Sequence, residues 1–242
     1  MSHKILTDTP FAHRGLHGPL TGHVENSLSA FRAANMQGHG IELDILLSQD
    51  NKAIIFHDMS LERLTGQTGK LQDFTAHQLS NFKLTGSEDN IPTLEKLLTV
   101  TDQDCPLLME IKGDQQQPIQ IAEAVYHDIQ DYTGPVAIMS FYPDIILWFQ
   151  QNAPHILRGL VATSINNGEM PDDYFVLKTQ KSLIKSLDVD FIAYDIKALP
   201  NEITEYCRAT SITVLTWTVR TEELRQKATQ YANNSIYENL SL

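Results

Sequence analysis

The sequence predicts an α/β protein of the (β/α)8 class, a TIM barrel with a small insertion after the second strand. Three observations carry this. Eight short apolar runs recur along 242 residues and alternate with helical patterns, which suggests a parallel sheet with right-handed crossovers. Eight such units in this length fit a closed barrel. A doubly wound open sheet would show a Gly-rich phosphate loop after its first strand, and His13-Arg14-Gly15 is not one.

The apolar runs are Phe11–Arg14, Gly40–Leu47, Pro106–Lys112, Val136–Phe141, Arg158–Ala162, Phe191–Asp195, Ile212–Val219 and Ser235–Tyr237. Short, unbroken apolar stretches are what a strand buried on both faces reads as. Between them, Leu28, Phe31 and Ala34 recur at helical spacing before Gly38 and Gly40. Pro92 is expected to open a helix through Leu94, Leu97 and Leu98. Ile121, Val125 and Ile129 mark another, and Pro143 stands where a helix favours proline, ahead of Ile146 and Phe149. Further helices fit Tyr174–Lys185, Asn201–Arg208 and Thr221–Tyr231. One segment breaks the alternation. The turn signal Ser48–Lys52 separates Leu43–Leu47 from Ala53–Asp58 and is too short for a crossover helix, so the two arms form an antiparallel hairpin. The return arm carries His57 back toward the strand ends. Residues 59–91 lack strong periodicity and read as a small excursion over the barrel mouth, where barrel active sites are built. No linker divides the chain, so 1–242 is expected to be a single domain.

Composition bounds the function. Apolar residues make up 42 % and charged residues 20 %, which excludes wholesale disorder. Lys and Arg number 18 against 30 Asp and Glu, a net charge of −12. That balance argues against nucleic acid as a partner. No run approaches the roughly 20 apolar residues of a membrane span, and the polar stretch before Phe11 has no apolar signal-peptide core. Cys105 and Cys207 show neither metal-ligand spacing nor a disulfide pattern. Two reduced structural thiols and a cytoplasmic location are the expectation.

Candidate chemistry lies at the strand ends. Glu42 and Asp44 are two apart on one strand, so their side chains share a face. Two adjacent carboxylates repel unless a cation intervenes. With Glu110 from another strand they make an all-oxygen set, suited to Mg²⁺ or Ca²⁺. Taken alone, Glu-x-Asp also describes solvated strand-end charges. His13 and His57 each follow an apolar run, and two imidazoles can serve as acid and base near neutral pH. Arg14 and Lys112 stand beside these residues, as cations aimed at phosphate oxygens would. Trp217 offers an apolar wall for a substrate, or packs in the core.

In their order along the chain, Ala12-His13-Arg14-Gly15, Glu25-Asn26-Ser27, Ile41-Glu42-Leu43-Asp44, Phe56-His57-Asp58, Leu61–Thr65, Ile91–Glu95, Met109–Lys112, Ser140-Phe141 and Trp217–Val219 form a specific set. It resembles the glycerophosphodiester phosphodiesterases, whose barrel is shared with phosphatidylinositol-type phospholipases. The resemblance implies cation-assisted hydrolysis of glycerophosphodiesters to sn-glycerol 3-phosphate and an alcohol. Carried over by motif, Glu42, Asp44 and Glu110 hold the metal and His13 and His57 are the acid–base pair. Arg14 and Lys112 bind phosphate, and Trp217 lines the glycerol side. Residues 59–91 correspond to the family's small insertion. Two stretches depart from the family pattern. The loop Leu16–Val24 is longer than usual, with Val24 where proline is common, and the last strand ends Ile236-Tyr237-Glu238-Asn239 where the family often has Thr-Asp and a nearby proline. A barrel glycosidase would use two carboxylates alone. A lysophospholipase-D-like diesterase is the nearest alternative, and a binding protein on the same scaffold would not need the full set.

Overall fold

The computed structural model describes residues 3–113, 117–166, 168 and 170–239. Eight parallel strands close into a barrel: β1 (Phe11–Ala12), β2 (Gly40–Leu47), β4 (Leu107–Ile111), β5 (Val136–Ser140), β6 (Leu157–Ala162), β7 (Phe191–Asp195), β8 (Thr213–Val219) and β9 (Asn234–Tyr237), with β3 (Ala53–Ile55) outside the ring. The first and last strands complete it, because Phe11 pairs with both Gly40 of β2 and Ile236 of β9. The (β/α)8 expectation therefore holds. β1 is shorter than its apolar run. Arg14 and Gly15 turn away with φ of +55° and +79°, and a Cβ on Gly15 would lie 2.9 Å from the Ala30 backbone. Only glycine tolerates both demands.

The flanking helices are α1 (Leu28–Met36), α2 (Glu62–Thr65), α3 (Ala76–Leu79), α4 (Leu94–Val100), α5 (Pro118–Ile129), α6 (Pro143–Asn152), α7 (Leu177–Ser186), α8 (Glu202–Ala209) and α9 (Glu222–Tyr231). Side-chain caps start several of them: Ser27, Thr93, Asn201 and Thr221 each accept a hydrogen bond from the first-turn backbone. Two sequence expectations shift. Pro92 does not open α4, since its carbonyl accepts from the Ile55 N–H and keeps it extended, so Thr93 caps the helix one residue on. The helix expected over Tyr174–Lys185 is split. Tyr174 donates its hydroxyl to the Val161 carbonyl, which holds Asp172–Phe175 in a separate 3-10 turn ahead of α7.

The hairpin forms as the turn signal requires. β2 pairs with β3 antiparallel, Ile45 opposite Ile55 and Leu47 opposite Ala53. Residues 61–91 bury their apolar side chains in a second cluster, where Leu61, Leu64, Leu71, Leu79, Leu84 and Ile91 pack with Leu46, Ile54 and Phe56 of the hairpin. Among the described residues no helix is long and apolar enough to cross a membrane.

Candidate active site

The eight residues singled out by sequence come from β2, β4 and β8, from the positions just after β1 and β4, and from the hairpin return. Asp44 and Glu110 are register partners on adjacent strands, and Glu42 shares Asp44's face one step down β2. Ligand atoms of the three carboxylates lie within 4.8 Å of one another. Glu42 and Asp44 are each 1 % exposed. The Arg14 backbone N–H donates to Glu42 Oε2 at 2.9 Å, and Asn26 donates to Asp44 Oδ2 at 2.8 Å. Glu42 Oε1 and Asp44 Oδ1 are buried with no hydrogen-bond partner, although the Lys112 ammonium stands 3.2 Å from the latter.

Electrostatics separate the two acids. Burial, with Asp44 and Glu110 beside it, pushes the Glu42 carboxyl well above the usual range. Burial works the same way on Asp44, but Lys112 and Arg14 outweigh it and hold that carboxyl well below the usual range. Lys112 also reaches Glu110 Oε1 at 2.6 Å. Arg14 places Nε 3.1 Å from Asp44 and Nη1 2.7 Å from Glu25.

The two histidines are held alike. His13 Nδ1 is 3.0 Å from Glu238 Oε2, and His57 Nδ1 is 2.6 Å from Asp58 Oδ1. Glu238, held down to about 2 by its hydrogen bond with His13 and, further, by Arg220, is ionised and can only accept. Nδ1 therefore carries the ring proton, and Nε2 is left for chemistry. Burial lowers the His13 pKa below 6.5, partly offset by the Glu238 hydrogen bond. Beyond His57 the network continues. Arg63 bridges Asp58 and Glu25, with Nη1 2.8 Å from Glu25, and Glu25 leads back to Arg14.

His13, Arg14, His57, Glu110, Lys112 and Trp217 line one cavity of about 230 Å³ with Phe141, Asp195, Lys197 and Arg220. Trp217 donates Nε1–H to the Ala193 carbonyl and meets Phe141 edge-on at 5.8 Å, so its ring forms a fixed wall. A neighbouring trough of about 500 Å³ is lined by His57, Met59, Glu110, Lys112, Tyr142 and Met170. Sequence reading did not assign roles to Glu238, Asp58, Glu25, Asn26, Arg63 or Arg220. A signal existed for some: Glu25-Asn26 and Asp58 lie inside the recognised motifs, and Glu238 lies in a departure from them.

The arrangement offers an all-oxygen cation site, two oriented imidazoles and a phosphate-sized pocket lined by Arg14 and Lys112. The sequence matches the model of the glycerophosphoryl diester phosphodiesterase family over residues 13–238. A glycerophosphodiester phosphodiesterase of Bacillus altitudinis is 31 % identical over 181 residues, 70 % of this chain and 71 % of that one. Human glycerophosphodiester phosphodiesterase 1 is 27 % identical over 146 residues, 56 % of this chain and 44 % of that one. Among solved structures, an Oleispira antarctica phosphodiesterase in complex with the product sn-glycerol-3-phosphate is similar with a TM-score of 0.84 at 21 % identity, covering 98 % of this chain and 95 % of that one. At that identity the likeness establishes the fold.

Proposed function

The chain belongs to the glycerophosphodiester phosphodiesterase family and is an enzyme of it, and from that premise we propose hydrolysis of glycerophosphodiesters to sn-glycerol 3-phosphate and an alcohol, with a divalent cation and two histidines. The observation that carries this reading is the shared cavity, where His13 and His57 face Arg14, Lys112 and Glu110. The carboxylate set fits a hard cation. It supplies oxygen donors alone, and Glu42 Oε1 and Asp44 Oδ1 are buried without hydrogen-bond partners. Glu42, Asp44 and Glu110 would hold Mg²⁺ or Ca²⁺, which when bound supplies positive charge for the phosphodiester oxygens.

This chain's own residues do the rest. Arg14 and Lys112 neutralise the phosphate and the charge that grows in the transition state. His13, buried and neutral with its Nδ1–H fixed by Glu238, takes the proton of the attacking hydroxyl. His57, held by Asp58, gives a proton to the leaving alcohol oxygen. Trp217 and Phe141 wall the glycerol side. The attacking hydroxyl is either water or the glycerol 2-hydroxyl, and single-turnover product analysis for a cyclic phosphate separates them.

The test is a coupled glycerol 3-phosphate assay across choline, ethanolamine and glycerol diesters, with and without Mg²⁺ or Ca²⁺. His13→Ala and His57→Ala are each expected to lose at least about 10²-fold in rate. A folded His57→Ala enzyme with near-normal turnover would remove His57 from the mechanism. Full activity in metal-free protein would remove the cation. The trough beside the cavity favours one second reading, a lysophospholipase-D-like activity in which Met59, Tyr142 and Met170 accept an acyl chain. Choline release from lysophosphatidylcholine checks it.

A further inference from the structure

Glu238 and His17 belong to the two stretches in which the sequence departs from the family pattern, 236–239 and 16–24, and the fold brings those stretches together. Gly18, at φ +108°, stands so close to Asn239 that a Cβ there would lie 2.3 Å from the Asn239 side-chain oxygen. Beside this contact, His13, His17 and Glu238 each place a ligand atom within 4.8 Å of the others. His17 Nε2 is buried and has no hydrogen-bond partner. The proposed mechanism gives His17 no task.

We propose that His13, His17 and Glu238 form a second cation site, one that takes Zn²⁺ or a similar transition-metal ion and inhibits the enzyme. The donor set differs in kind from the Glu42–Asp44–Glu110 set. Two imidazoles and one carboxylate, with a fourth position for water, are the ligands that zinc takes in open tetrahedral sites, whereas Mg²⁺ and Ca²⁺ prefer oxygen alone. Zinc bonds of about 2.0–2.2 Å set ligand separations near 3.3 Å in a tetrahedron. His13 Nδ1 and Glu238 Oε2 already stand 3.0 Å apart. Arg220 also holds Glu238 Oε2, at 2.9 Å, but its side chain is 49 % exposed and has solvent to swing into.

An ion on His13 Nδ1 displaces the proton that Glu238 now accepts. The ring stays neutral only if that proton moves to Nε2, the atom that would otherwise take the proton of the attacking hydroxyl. Zinc thus converts the proposed base into its inactive tautomer without touching the carboxylate site. The binding site itself stands independently of the mechanism, while the inhibition rests on His13 acting as the base.

Three measurements test this. Glu42→Gln breaks the carboxylate set, so that variant should still retain one zinc in equilibrium dialysis, and Co²⁺ in its place should give the intense visible bands of a tetrahedral nitrogen-ligated ion. In Mg²⁺-saturated enzyme zinc should inhibit, and excess Mg²⁺ should not relieve it. His17→Ala should turn over at the unmodified rate and need at least about tenfold more zinc for half-inhibition, since losing a direct ligand should cost no less than losing an outer hydrogen-bond partner of one. Unchanged inhibition in His17→Ala, relief in proportion to added Mg²⁺, or no zinc retained by folded Glu42→Gln would each overturn the site. Zinc held through His17 with no loss of turnover would overturn the inhibition and the assignment of His13 as base, while leaving the site in place.

Discussion

His13 shows how much of this chemistry depends on partners far away in sequence. Its own motif marks it as a candidate, yet its tautomer and basicity are set by Glu238, 225 residues on. A base must be neutral to act, and burial lowers the His13 pKa below 6.5. The acid limb of kcat/KM should therefore lie below pH 6.5. Glu238→Gln removes an interaction that raises that pKa, so the limb should move to still lower pH. The rate should fall as well, by less than the His13→Ala loss, and a pH–rate profile of both variants checks this. Stability follows the same pair with the opposite sign. The Glu238 carboxyl is held at about 2, below its ordinary 4.5, so its contribution is present above pH 4.5 and is lost as the pH falls toward 2. The carboxylates at 42, 44 and 110 and the two histidines were legible in the sequence because strand alternation and run ends locate them. Asp58 stands next to His57 in one motif, but Glu238 behind His13 was not legible, since side-chain pairing between distant loops leaves no periodic trace.

At the scale of elements, the β2–β3 hairpin decides where His57 sits. Its turn was readable because five polar residues cannot hold a crossover. The second apolar cluster was not readable, because its residues after the hairpin come from one-turn helices, a 3-10 turn and loops, all too short to show a period. Phe56, fully buried in that cluster and next to His57, is the element's anchor. Phe56→Ala should cost about 3–5 kcal/mol, seen as a lower urea midpoint, and should cut turnover beyond what stability explains. Arg63 ties α2 to the barrel through Glu25 and to His57 through Asp58. Its half-exposed position keeps the energetic worth of those ion pairs small. Arg63→Met should accordingly leave the melting temperature nearly unchanged yet lower kcat, because Asp58 loses the group that aims it.

For the whole molecule, the overall charge of −12 and the sign of the pocket are separate facts. Arg14, Lys112, Lys197 and Arg220 line the cavity, and surface acids beyond about 8 Å are largely screened at physiological salt. Glu110 and Asp195 share that lining, and Arg14, Lys112 and Arg220 are each paired with a carboxylate, so under the proposed function a dication held by Glu42, Asp44 and Glu110 would make the pocket positive toward an anionic diester. Barrel closure is the other global property. It is fastened at the β1–β9 seam, where the Asn234 side chain donates to the Leu6 and Thr9 carbonyls at 2.9 and 2.7 Å. Asn234→Ala should cost about 1–3 kcal/mol, measured by denaturant titration. The seam also has a temporal meaning. His13 follows the first strand made and Glu238 follows the last, so a ribosome must finish the ring before the base acquires its orienting partner. In refolding, turnover should return only after the far-ultraviolet helix and strand signal has recovered, and stopped-flow measurement of both signals would time the two events.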